Sequence, residues 1–359
     1  MLMRSLFSII LGVAVLGMFG FSQSAFAAPF ILSNGPGDGT LSVGVDGFGA
    51  FGLGVGPDSS NAIYDPVGAG GSAGTSFESA IAIEIGTGGT RSFLTSGFVG
   101  ISGGLANPTV MPDGSSTFSN SGLNFALSQT LEPVFFGGSQ TGTLLIQTYT
   151  ITNPGTTSID FELVRYLDGD LFFDGSSTTD GGGRIIIEGT EILFETDSAT
   201  GSSTSTNYVA IIAEGGTEPA TNRYEIDRFS EPFPLPGMRD RIIAGTALDD
   251  TVTGDGGDAD EFIDAGPGYD VTLALRNTFS LGQGTSVVYV TKTIFGTGAP
   301  EDVEIDPPIE LVGGIILPID TMTLLIAGAQ INAFFILSTL ALTGAFAFGV
   351  LYYKTKRTN

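Results

Sequence analysis

From Thr40 onward the chain runs in short apolar stretches broken by clusters of Gly, Pro, Asn and Asp, the spacing expected of strands and turns in a β-sandwich. The clearest strand is Thr143 to Asn153, in which Leu145, Gln147, Tyr149 and Ile151 alternate with Ile146, Thr148, Thr150 and Thr152. Threonine and tyrosine suit a half-buried pleated face, so this period of two predicts strand, not helix. Asn153-Pro154-Gly155 then forces a turn, and Ser158 to Leu167 resumes the alternation, with Ile159, Phe161 and Leu163 on one face and Asp160 and Glu162 on the other. A hairpin is expected there. Further strands are expected at Thr40 to Phe51, Ala80 to Gly86, Ser92 to Val99, Leu123 to Leu131, Arg184 to Glu188, Glu191 to Glu195, Tyr208 to Ala213, Val271 to Leu275 and Ser286 to Phe295. Nothing between 29 and 310 carries a sustained helical period with caps, so helix should be scarce. Gly-Ser-Thr tracts at 68–76, 174–183 and 200–206 read as surface loops within one continuous antiparallel sandwich, because strand signals resume on both sides of each.

The two ends carry a different pattern. Residues 1–28 have the layout of a secretory signal peptide: Arg4, an apolar run from Ser5 to Phe21, and Ala25-Phe26-Ala27 before the cleavage point at Ala28. The alternative is an uncleaved N-terminal anchor. Ile331 to Tyr353 holds no charged residue and is long enough to cross a bilayer core of about 30 Å; Lys354, Lys356 and Arg357 follow at once. By the positive-inside rule the tail stays in the cytoplasm and the bulk of the chain lies outside, extracellular or periplasmic. Met322 to Ala329 extends the apolar character, either as a tilted continuation of the span or as an interfacial helix. The expected organisation is therefore signal peptide 1–28, β-sandwich ectodomain 29–310, Pro-containing stalk 311–321, transmembrane anchor region 322–353 and basic tail 354–359. Leu317-Pro318-Ile319-Asp320-Thr321 is similar to a sortase signal but lacks its Thr-Gly pair.

Composition narrows the function classes. The chain has 38 acidic residues against 13 basic ones, and four of those bases, Arg4, Lys354, Lys356 and Arg357, lie in the terminal segments. The ectodomain is thus strongly negative and would repel phosphate backbones, which excludes nucleic acid as a partner. There is no Cys, His or Trp. Disulfides, Ser-His-Asp and Cys-His catalysis and the usual zinc sites are all removed, and stability must come from the packed core.

The stretch 148–175 (TYTITNPGTTSIDFELVRYLDGDLFFDG), the later 268–296 (GYDVTLALRNTFSLGQGTSVVYVTKTIFG) and the opening LSVGVDGFGAFG with NAIYDP carry a resemblance. They resemble large mutarotase-like β-sandwich domains of uncharacterised secreted and surface proteins of bacteria and archaea; the Pro motif, span and basic tail are similar to the C-terminal membrane anchors of many such proteins. The resemblance implies a fold and brings no catalytic residues.

Two acidic clusters are the candidate chemistry. Asp168, Asp170 and Asp174 in LDGDLFFDG present three carboxylates within a few residues, and hard cations such as calcium take oxygen ligands. Ordinary Asp-Gly turn bonding is the competing reading. Asp255, Asp258, Asp260 and Asp264 form the second cluster, in a segment too irregular for a calcium-binding β-roll but able to line an ion-holding loop. No carboxylate pair is singled out for glycoside hydrolysis. The arginines Arg165, Arg223, Arg228, Arg239 and Arg241 are expected to pair with neighbouring acids. The favoured function is a non-catalytic cell-surface structural or interaction protein, adhesive in character, with calcium as the single suggested cofactor. Its partners would be the membrane and surface proteins or glycans; the alternative is a carbohydrate-binding or carbohydrate-active surface protein.

Overall fold

The computed structural model describes residues 29–300 apart from 56–60, 69–70, 87, 99–100, 103–107, 198–206, 231–235, 258–259 and 265–267. The expected signal peptide, stalk, span and tail, and the 200–206 tract, lie outside the described residues. Among the described residues no helix is long and apolar enough to cross a membrane.

The chain opens with β1 (Phe30–Ser33), β2 (Thr40–Val45), β3 (Ala62–Asp65) and β4 (Ala73–Gly74), which pair in that order as a small sheet. Next come β5 (Ser76–Ile85), β6 (Ser92–Leu94), and the short pair β7 (Gly97–Phe98) and β8 (Ile101–Ser102). They are followed by β9 (Thr109–Val110), β10 (Ser116–Asn120), β11 (Leu123–Phe136), β12 (Ser139–Thr152), β13 (Ile159–Gly169) and β14 (Gly181–Ile187). The last elements are β15 (Thr190–Thr196), β16 (Asn207–Glu214), β17 (Tyr224–Arg228), the one described helix α1 (Met238–Ile243), β18 (Thr251–Val252), β19 (Val271–Leu281) and β20 (Ser286–Thr297). An eight-stranded sheet has the order β14-β15-β16-β20-β12-β11-β10-β9, and a six-stranded sheet the order β18-β17-β19-β13-β5-β6. Neighbours are antiparallel throughout except β17 and β18.

The two large sheets share one core. Leu145, Tyr149, Leu193, Val209, Ile211 and Phe295 of the larger sheet pack with Ile81, Ile83, Phe161, Leu163, Leu273 and Leu275 of the smaller. Each set follows the strand period of two, so the alternation legible in the chain is the alternation between sandwich interior and outer face. The outer face of the six-stranded sheet is covered as well. Ala80, Ala82 and Ala274 offer only methyl groups there, which lets Met238 and Ile242, one turn apart on α1, pack down with Val164, Tyr166 and Leu248.

The expected hairpin is not formed. β12 pairs with β11 and β20, whereas β13 pairs with β5 and β19, so Asn153-Pro154-Gly155 carries the chain from one sheet to the other. The link from β19 to β20 crosses the same way. The buried Asn153 joins the two arches: its Nδ2 donates to the carbonyls of Thr157 (2.8 Å), Leu281 (3.0 Å) and Gly282 (3.2 Å), and its Oδ1 accepts from Gly155 N (2.9 Å). A crossing that buries both apolar strand faces wins over a hairpin that would leave one uncovered.

Three smaller expectations are corrected. The run from Thr40 ends as strand at Val45, because Asp46 turns the chain by accepting from Phe48 N and Ala50 N at 2.9 Å each. The 68–76 and 174–183 tracts are not loops to their ends: Ser76 is buried and opens β5, and Gly181–Gly183 begin β14. There a Cβ on Gly182 would lie 2.6 Å from the Phe194 carbonyl, so only glycine fits. Arg165, finally, does not follow the expected pairing with an acid. It lies inside the sandwich, 1 % exposed, and donates to Ala80 O, Tyr166 O and, across the core, Thr293 Oγ1 at 2.9 Å, with its guanidinium 5.7 Å from the centre of the Phe51 ring. Position 165 belongs to the inward parity of β13, which takes it away from the solvent-facing acids.

Candidate functional site

The first acidic cluster separates in space. Asp168 ends β13 rather than sitting in a turn; it is 1 % exposed, its Oδ1 has no hydrogen-bond partner, and its carboxyl is within hydrogen-bonding reach of Asp270. Asp170 is half-buried and interacts with Ser177; burial pushes its pKa up to about 6. Asp174 is exposed and accepts from Ser176 N at 2.8 Å, the turn bonding that the competing reading describes.

Residues that the sequence did not single out complete this end of the sandwich. Glu195 points inward from β15 and Asp180 pairs through its backbone with Tyr269; both are fully buried, and none of their four carboxylate oxygens has a hydrogen-bond partner. Burial, and then the neighbouring charges of Asp197 and Asp174, push the Asp180 pKa up to about 9. Burial, then Asp180 and Asp168, push Glu195 well above the usual carboxylate range. Asp270 is pushed up to about 7 by burial and by Asp170. Asp197 orders the rim by accepting from Phe173 N. One signal for Glu195 was present: it shares the parity of inward Leu193 in TEILFET, a charge on a core-facing position. Asp180 sat inside an apparent loop tract and carried no signal.

Of the second cluster, Asp255, Asp260 and Asp264 bring carboxylate oxygens within 4.8 Å of one another; Asp258 lies outside the described residues. The loop is exposed and ordered locally, with Asp260 accepting from Phe262 N at 3.0 Å and Asp264 N donating to Gly254 O at 3.0 Å. Gly256 leaves the space: a Cβ there would meet Asp264 Oδ2 at 2.9 Å. The arrangement is an oxygen-only set open to water, of the kind that suits a hard cation.

An open cleft of about 480 Å³ lies between the β14–β15 hairpin and the 218–224 segment. Its charges are matched. Glu191 lies between Arg184 (2.7 Å) and Arg223 (2.8 Å), Glu261 holds the other side of Arg184 (2.5 Å), and Arg184 stacks 4.3 Å from the centre of the Tyr224 ring. Asp250 accepts the backbone amides of Asn222 and Arg223. The expected pairing of arginines with acids thus holds for Arg223, for Arg239 with Glu78 (2.7 Å) and for Arg241 with Glu225 and Asp227, while Arg228 lies over the Tyr269 ring.

No family model and no curated protein matches the chain. Two solved structures are similar to it: a polysaccharide lyase, at 11 % identity and TM-score 0.37 over 77 % of this chain and 33 % of that one, and a kojibiose phosphorylase, at 8 % identity and TM-score 0.30 over 70 % of this chain and 26 % of that one. The chain spans about a third and about a quarter of the lengths of those two proteins, and likeness at this level carries no argument about activity.

Proposed function

We propose that this chain is a non-catalytic cell-surface structural or interaction protein, anchored by its C-terminal apolar segment with the sandwich outside, and that its exposed acidic loop takes calcium. Membership in the mutarotase-like family of secreted and surface proteins is part of the same proposal. The observation that carries it is the state of the cleft: every acid there is held by an arginine or by backbone amides, which leaves no carboxylate positioned as a general acid or base. A second set of acids gathers away from the cleft, at Asp255, Asp260 and Asp264, where carboxylate oxygens converge within 4.8 Å.

Glycan-array and whole-cell binding with the soluble segment 29–313 tests the interaction role. Binding to cells or to surface proteins without turnover of any glycan is expected. Cleavage of an arrayed glycan, lost in a variant of a single carboxylate, would overturn the proposal in favour of a carbohydrate-active protein.

A further inference from the structure

We infer that the end of the sandwich where β13 and β15 finish encloses a divalent-cation site of the calcium type, liganded by Asp168, Asp180, Glu195 and Asp270. The inference goes beyond the surface role proposed above and does not depend on it.

Other buried acids of this protein are given donors. Asp46 accepts from Phe48 N, Ala50 N and Ser96 N, and from Thr95 Oγ1. Glu162 lies between Arg91 and Arg276, each at 2.7 Å. Such partners are what burial of a carboxylate demands, since an ionised oxygen without one loses its hydration and gains nothing. Glu195 and Asp180 are 0 % exposed, and the fold supplies no hydrogen-bond donor to any of their four oxygens, nor to Oδ1 of Asp168. Among the described residues the one basic side chain that bears on Asp168 is Arg239, whose Nη1 is engaged with Glu78 Oε1. Glu195, Asp180 and Asp168 are thus buried together with donors withheld, and the half-buried Asp270, bonded to Asp168, borders them, an oxygen set suited to a cation.

The backbone is shaped to bring them there. β13 slips register against β5 between Asp168 and Gly169. Gly169 then lets the Glu195 carboxylate lie against its Cα: a Cβ would stand 1.7 Å from Oε2. Gly268 lets the backbone of the 179–180 segment approach closely: a Cβ there would stand 2.4 Å from the Asp180 carbonyl. The chain has no Cys and no His, so the ligands are oxygen alone, and several carboxylates in irregular array fit calcium better than the strict octahedron of magnesium. Asp168 and Asp270 are within hydrogen-bonding reach of one another, but the four carboxylates do not all converge within 4.8 Å, so a cation would draw Asp180 and Glu195 in by side-chain rotation.

The test is equilibrium dialysis of the purified, chelator-stripped full chain against radiolabelled calcium at pH 7.5, with thermal unfolding in parallel. Because the ion binds only the folded state, a free calcium concentration about 1,000 times Kd is expected to raise Tm by roughly 8–16 °C. The Asp260→Asn/Asp264→Asn double variant, altered only on an exposed loop, is expected to keep one ion per chain and most of that shift. The Glu195→Gln/Asp180→Asn double variant is expected to keep only the loop's ion and to lose most of that shift, with no fall in its calcium-free Tm. Loss of all bound calcium in the loop variant would overturn the interior site and leave the loop as the binder; retention of the full wild-type count there would spare the interior site and count against calcium in the loop. Should the interior variant fail to fold, the ion count in the loop variant decides alone.

Discussion

Replacing Asn153 with alanine tests whether one side chain holds the two sheet-to-sheet arches together. Two Nδ2 hydrogens serve three carbonyls, so one bond is shared. Two full donor bonds and the bond accepted from Gly155 N come to about 3 kcal/mol at about 1 kcal/mol each, and a buried carbonyl left without a donor adds about 1 more. The expected loss is about 4 kcal/mol, or roughly 8–16 °C in Tm for a domain of this size. Unfolding is followed by far-ultraviolet circular dichroism and by tyrosine fluorescence, which the nine tyrosines and the absence of tryptophan make unambiguous. Thr152→Ala is the control: it removes an exposed 2.8 Å hydroxyl bond to Ser286 one residue away and should cost no more than about 0.5 kcal/mol. Asn153→Asp keeps the shape but turns a carboxylate toward three carbonyl oxygens, and should be at least as damaging as alanine. A Tm within about 2 °C of wild type for either Asn153 variant would refute the reasoning and assign the arches to their backbone bonds, Asn153 N to Thr285 O and Gly284 N to Asn153 O.

Arg165 and Glu225 give two further tests. Burial pushes the Arg165 guanidinium down to about 10, yet it remains charged at neutral pH with no acid paired to it among the described residues, so Arg165→Met, which fills the space without the charge, should fall within about 1 kcal/mol of wild type or above it, whereas Arg165→Ala should cost about 3–4 kcal/mol through the cavity. Equal losses for Met and Ala in urea unfolding would mean that the guanidinium bonds across the core dominate. Glu225 is pushed up to about 7, chiefly by burial, against the opposing pull of Arg241. A raised acid favours the folded state fully below its unfolded value near 4.5 and loses that contribution as pH rises through 7, so Glu225→Gln should flatten the stability profile between those limits by on the order of 3 kcal/mol in chelator-treated protein. Parallel profiles for variant and wild type would count against the assignment.

Strand existence was legible in the chain because burial on one face imposes a period of two, and β12, β13, β15, β16, β19 and β20 lie where the alternation puts them. Strand partnership was not. Asn-Pro-Gly satisfies the backbone of a hairpin turn and of an arch equally, and what selects the arch is the contact of Asn153 with carbonyls at 281 and 282, remote in sequence. The acidic residues show the same division more sharply. Asp255, Asp260 and Asp264 are close in the chain and close in space, so proximity along the sequence found them. Asp168, Asp180, Glu195 and Asp270 come from four separate segments, and the local pattern of an acidic loop found Asp168 alone of them, grouping it with Asp174, which proves to be a turn residue. A charge at an inward strand position is the trace such a site leaves: Arg165 and Glu195 both break the apolar parity of their strands, and both lie inside. Arg165 finds carbonyls, a hydroxyl and an aromatic face there, while Glu195 finds only other acids, and that difference is why the second, and not the first, calls for an ion.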